Sequence, residues 1–199
     1  TSEEPGPEIV LRGASEAQGY VMGSFDPSSR FLFQVELTSR GAALETLKLR
    51  DYYFTVTDKK LAESDWSAYL MAMEEAPEEY QGPYSVLNPV SVRGEAHLPM
   101  ATRAFSLKVG DGDAVRWSDL QNVPWRLESR EAHHDGETVR FACDFVRKHP
   151  DGRVEPLLRL VKSFRIRRDD YTLYVSLNAE NLGDEEVEIS VDQGGATGD

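Results

Sequence analysis

The sequence predicts an all-β protein with a minor α part, built of antiparallel strands. Three observations carry that expectation: sustained period-two alternation from Leu158 to Val191, turn residues at short intervals along most of the chain, and a helical period confined to one segment. In the first arm, LRLVKSFRIRR, Leu160, Phe164 and Ile166 share one parity with the stem of Lys162, while Arg159, Arg165 and Arg167 fall on the other. Residues of one parity line one face of a strand, so this arm has an apolar face and a charged face. Arg168-Asp169-Asp170 supplies a turn, since Asp side chains bond their own backbone. Tyr171, Leu173, Val175, Leu177 and Ala179 then alternate with Thr172, Tyr174, Ser176 and Asn178, a pattern that a helix does not produce. After Asn181-Leu182-Gly183-Asp184, Val187, Ile189 and Val191 alternate with Glu186, Glu188 and Ser190, which completes three antiparallel strands.

The rest of the chain follows in order. Residues 1–18 are acidic at the start and carry Pro5 and Pro7, the composition of a flexible acidic arm, and residues 19–199 read as a single β-sandwich domain. Tyr20 to Phe25 forms a short edge strand before the turn Asp26-Pro27-Ser28-Ser29. Phe31, Phe33, Val35 and Leu37 mark the first strong strand, turned back at Ser39-Arg40-Gly41. In AALETLKLRDYYF the spacing of Leu44 and Leu47 fits a helix, whereas Leu47, Leu49 and the Tyr52-Tyr53-Phe54 run fit a strand; the context favours the strand. Lys59 to Tyr80 is the helical segment, with Ser64 as N-cap, Asp65 in the first turn, a stripe of Trp66, Tyr69, Leu70 and Met73 packed on a sheet, and Pro77 as its end. Tyr84 to Val92 is an edge or loop because Pro89 interrupts it. Strands are expected at Thr102 to Val109, at Val115 to Trp117, and in a hairpin of Trp125 to Arg130 with Glu137 to Val146 across His133-His134-Asp135-Gly136. His149-Pro150-Asp151-Gly152 is a further turn, and periodicity ends at Gly194.

Length and charge narrow the function. A chain of 199 residues buries a real core, and one domain is the default for an all-β protein of this size. No run reaches the roughly 18 apolar residues of a membrane helix, and the amino terminus lacks the build of a signal peptide, so the chain reads as a soluble fragment. A net charge of -13 opposes binding to phosphate backbones, which argues against nucleic acid as a partner. The five basic residues within Arg159 to Arg168 read as a solvated strand face. The single Cys143 lies in VRFACDFV, where it serves as a small buried hydrophobe.

No enzyme signature is present. There is no nucleophile elbow, P-loop, dinucleotide glycine fingerprint or paired-histidine helix. Two Asp in Gly110-Asp111-Gly112-Asp113 are too few for a calcium loop, and His133-His134 lacks a third ligand at zinc spacing. We therefore assign no catalytic, cofactor-binding or metal-binding residue, no cofactor, and no enzymatic activity; residues that bind a partner are not identified by the sequence.

Two segments resemble a known family. KSFRIRRDDYTLYVSLNAENLGDEEVEISV is similar to a strand, turn, strand segment in the large periplasmic domain of YidC-type (YidC/Oxa family) membrane protein insertases, and FQVELTSRGAALETLKLRDY is similar to that domain's opening strands. The resemblance implies an antiparallel β-supersandwich of the galactose mutarotase-like kind. It implies a non-catalytic scaffold or interaction module on the periplasmic side of the bacterial inner membrane, between the first and second membrane helices. The module would serve membrane protein insertion and folding, with Sec translocon components and membrane protein clients as partners of the full-length protein. Direct membrane insertion would belong to helices this chain lacks, and the family domain continues beyond the second match, so the chain reads as truncated at its C-terminal end. Fold kinship with sugar-active proteins, together with Trp66, Trp117, Trp125 and the isolated His97, supports a rival reading as a carbohydrate-binding or mutarotase-like module.

Overall fold

The computed structural model describes residues 6–196. In chain order the elements are β1 (Glu8–Arg12), β2 (Gly19–Gly23), β3 (Phe33–Thr38), β4 (Ala43–Tyr53), α1 (Val56–Ser64), α2 (Trp66–Glu75), β5 (Pro83–Leu87), β6 (Val90–Val92), β7 (Glu95–His97), β8 (Thr102–Val109), β9 (Val115–Trp117), β10 (Arg126–His133), β11 (Gly136–Lys148), β12 (Val154–Arg167), β13 (Leu173–Asn181) and β14 (Val187–Gln193), with two short 3-10 turns. Strands take up 54% of the chain and helices 13%, which makes the fold all-β with a minor helical part.

Strand parity decides how the layers meet. In β11, Val139, Phe141, Cys143 and Phe145 point one way and are fully buried; in β12, Leu158, Leu160, Phe164 and Ile166 do the same. These two strands are antiparallel neighbours at the centre of a five-stranded sheet, flanked by β13 on one side and by β10 and β1 on the other. Their apolar face meets two smaller sheets. Tyr20 of β2 lies edge-on to Phe141, at 5.4 Å, and so joins the sheet β2-β3-β4-β5 to the core. Phe105 of β8 and Trp117 of β9 each lie 4.6 Å from Phe145, which brings in the sheet β14-β8-β9. Phe105, Phe141 and Phe145 are fully buried, and each such side chain stabilises the fold by about 1.5–3 kcal/mol.

Several expectations are corrected. The amino-terminal arm is shorter than residues 1–18: Glu8–Arg12 pairs with Asp144–Lys148, and the next residues are tied down by Ala14 N–H to the Pro124 carbonyl and Ser39 N–H to the Gln18 carbonyl. Ile9 and Leu11 alternate onto the core, which outweighs the acidic, proline-bearing composition upstream. Residues 1–5 of that arm lie outside the described residues, as do 197–199 of the carboxyl-terminal tail. The third arm of the Leu158–Val191 stretch does not form a hairpin with the second; after Asn181 the chain crosses over, and β14 pairs with β8 in the other layer. Alternation specifies a strand but not its neighbour.

The helical segment is two helices. Thr55, not Ser64, caps α1, its hydroxyl accepting from Asp58 N–H; Ser64 is the last residue of α1. Asp65 is extended, with φ -154°, and caps α2 through Ala68 N–H, so it breaks the helix that its position in a first turn would have continued. Trp66 and Tyr69 pack as expected, against Phe25, Tyr53 and Tyr80. Leu70 is 48% exposed and does not join them.

Candidate functional site

The face of the five-stranded sheet turned away from the core is polar by the same parity. Thr138 and Arg140 of β11, Ser163, Arg165 and Arg167 of β12, and Tyr174 and Ser176 of β13 alternate with the buried set. Register then arranges them in rows. Glu131, Thr138, Arg165 and Tyr174 are successive cross-strand neighbours; Ser129, Arg140, Ser163 and Ser176 form the next row; and His133, Gly136 and Arg167 form a third. All of these except Ser129 and Gly136, together with Val175 and with Asp135 in the β10–β11 turn, line an open groove of about 630 Å³. Gly136 keeps the third row low: a Cβ there would lie 2.0 Å from the Ile166 carbonyl oxygen.

Three guanidinium groups and two carboxylates share this groove. Arg140 Nη1 donates to Glu131 Oε1 at 2.7 Å and to Ser129 Oγ at 3.4 Å. The other Glu131 oxygen lies 3.6 Å from His133 Nε2. Arg165 Nη2 donates to Asp135 Oδ2 at 2.9 Å, and Arg167 Nε stands 3.9 Å from the same oxygen. Slight burial raises the Asp135 carboxyl, but the charge of Arg165, hydrogen bonds from the backbone and from Arg165, and the charge of Arg167 outweigh it and hold its pKa below the ordinary carboxylate value. Arg165 Nε is buried without a partner among the described residues. The Arg167 guanidinium lies 5.2 Å above the Tyr174 ring, and Tyr174 Oη donates to Asp170.

These exposed ion pairs contribute no more than about 1 kcal/mol each. Their concentration therefore has little to do with stability. Cations exceed carboxylates by one here, on a protein whose net charge is -13. The arrangement suits an anionic, hydrogen-bonding ligand.

Sequence reasoning assigned none of these residues. It read Arg159 to Arg168 as a solvated face, which holds for Arg159, Arg165 and Arg167. Lys162 points into the core, and Arg168 lies 5.1 Å over the Phe31 ring while donating to the carbonyls of Ser29, His133 and His134. The signal for the groove was the same-parity series Ser163, Arg165, Arg167 beside Tyr174 and Ser176, readable only once the strand register is known. Cys143 is buried, and burial pushes its thiol pKa up.

The features invoked for sugar binding are dispersed. Trp125 is fully buried, Trp117 packs on Phe105 and Phe145, and Trp66 packs on Phe25 and Tyr69. His97 sits on β7 with its Nδ1 buried and without a hydrogen-bond partner among the described residues. His133 and His134 are separated in role: His133 lines the groove, and the His134 carbonyl accepts from Arg168. Among the described residues no group of three or more His, Cys, Asp or Glu is placed to hold a metal ion. Compared with known proteins, the chain matches no family model, no curated protein and no solved structure.

Proposed function

We propose that the chain is the domain of a YidC-type insertase that stands on the periplasmic side of the inner membrane, where it acts as a non-catalytic interaction module. The observation that carries this reading is the pair of resembling segments. FQVELTSRGAALETLKLRDY falls on β3, its turn and β4, and KSFRIRRDDYTLYVSLNAENLGDEEVEISV falls on β12 to β14. The two matches thus supply one hairpin in each of two sheets, β3–β4 and β12–β13, an arrangement in keeping with an antiparallel supersandwich. In keeping with a domain whose membrane helices lie elsewhere, no helix among the described residues is long and apolar enough to cross a membrane. Sec accessory subunits and membrane protein clients are the partners this reading names. The reading frame around the chain tests it: one apolar helix upstream and several downstream are expected, whereas a secretion signal with no downstream helices would overturn the assignment.

One observation favours a second reading, a carbohydrate-binding or mutarotase-like module. His133 and Glu131 lie together in an open polar groove, the residue types that sugar chemistry uses. Against it, no Trp lines the groove, and the Tyr174 ring is covered by Arg167. A panel of neutral mono- and oligosaccharides is expected to leave the melting temperature unchanged; a saturable rise with any of them would favour the second reading.

A further inference from the structure

The groove offers more cationic hydrogen-bond donors than the protein itself engages. Arg165 donates to Asp135 through Nη2 alone, and 39% of its side chain is open to solvent. Arg167 reaches Asp135 only at 3.9 Å and otherwise rests on Tyr174. A guanidinium is a planar fork whose paired N–H groups match a carboxylate. Arg165 and Arg167 are two residues apart on one strand, so their side chains leave the sheet with a spacing of roughly 6.6 Å. Alternate side chains of an extended polypeptide repeat at the same distance.

We infer that this groove binds an extended polypeptide segment through acidic side chains at alternate positions, with Arg165 and Arg167 as the anchoring pair. Asp135, exposed at the tip of the β10–β11 turn, marks where the carboxylate on Arg165 sits, since Arg165 holds its Oδ2 at 2.9 Å, while Arg167, at 3.9 Å and not hydrogen-bonded to it, is left for the next acid. A ligand acid displaces it, and the freed Asp135 returns to water. A sugar acid fits less well: sugars stack on aromatic faces, and Tyr174, whose phenol ring lines the groove, is capped by Arg167. The rest of the acidic surface repels such a ligand and confines binding to the groove. This inference rests on the interaction-module reading and names the partner's chemistry.

The test uses the protein described and a short fluorescein-labelled Gly/Ser peptide with Glu at alternate positions, beside its Gln counterpart, at low ionic strength. The Glu peptide is expected to bind at least about tenfold more tightly than the Gln peptide, and Arg165→Gln or Arg167→Gln is expected to remove that preference. Asp135→Asn is expected to raise affinity for the Glu peptide by removing the internal competitor, and Arg153→Gln, on an exposed turn, to leave it unchanged. Melting temperatures of the variants separate lost binding from lost folding. Equal binding of both peptides, or none, overturns the inference while leaving the insertase reading to the flanking helices. Tighter binding of oligoglucuronate than of the Glu peptide overturns the choice of polypeptide.

Discussion

Lys162 is the residue whose placement is most demanding. It occupies the centre of the inner face of β12 with 0% of its surface exposed. Its Nζ donates to the Met100 carbonyl and to Thr102 Oγ1, and it lies 5.7 Å from the Phe164 ring centroid, with no carboxylate paired to it among the described residues. Burial lowers its pKa to about 7. Below that pH the lysine is charged in both the folded and the unfolded chain, and the burial cost is fully present. Between about 7 and the unfolded value near 10.4, the unfolded chain holds a proton that the native one has released, so stability rises with pH, by roughly 4–5 kcal/mol across the interval. Lys162→Met keeps the apolar row, leaves the Met100 carbonyl with only the long bond from Gln193 Nε2 and takes the lysine donor from Thr102, a loss of about 1–3 kcal/mol. It is therefore expected to raise stability near pH 6 by about 2 kcal/mol and to flatten the profile up to pH 10. Urea unfolding at several pH values checks this; parallel profiles for the two proteins would contradict it. The sequence placed the stem of Lys162 in the apolar row, because parity leaves it nowhere else. That the ammonium follows the stem inward depends on the Met100 carbonyl, in the turn before β8, and on Thr102, the first residue of β8.

At the scale of elements, one buried acid adds to the ring packing of Tyr69 on Tyr53 in holding the helical hairpin in place. Asp58 accepts from Thr55 and Tyr69 hydroxyls and from Gly82 N–H, tying α1, α2 and the chain before β5 together. Burial and Asp58 together raise the Tyr69 pKa, so its phenol remains a donor. Asp58→Ala strands two buried donors and is expected to cost about 2–4 kcal/mol locally. Hydrogen exchange should show faster amides over residues 56–75, with β11 and β12 unchanged; equal loss of protection in both places would contradict a local role. A different element-scale test concerns the β11–β12 pair. Gly136→Ala forces a Cβ against the Ile166 carbonyl and is expected to destabilise by at least about 2 kcal/mol and open the groove end of the sheet, seen as a fall in the urea midpoint. Strands in β8, β9, β11, β12 and β13 were legible because alternation and turn chemistry agree there. The helix break was not, since Asp65 suits both a first turn and a cap, and only its extended backbone distinguishes them. The β14 pairing was not legible either: Asn181 to Asp184 has hairpin composition, yet Val187, Ile189 and Val191 pair with β8, and the chain must cross between layers to reach it.

Across the whole molecule, the acidic surface and the groove act in opposite directions. A charge of -13 keeps anions away, and the groove, with one excess cation at one end of the five-stranded sheet, is where the proposed acidic ligand meets positive charge. Raised salt is accordingly expected to weaken binding of a Glu-bearing peptide to the groove and, by screening long-range repulsion, not to create binding elsewhere; titrations at two ionic strengths check this. The groove was invisible in the sequence because its residues come from four strands and a turn, and each alone is an ordinary solvent-facing residue. The measurement that tests the account most directly is photocrosslinking in native membranes from a probe at position 176 of the full-length protein, beside the same probe at position 59 on α1. The account predicts adducts from position 176 with a Sec accessory subunit or a membrane protein in the course of insertion, and none of these from position 59. Adducts with polysaccharide alone, or no adduct from position 176, would contradict it.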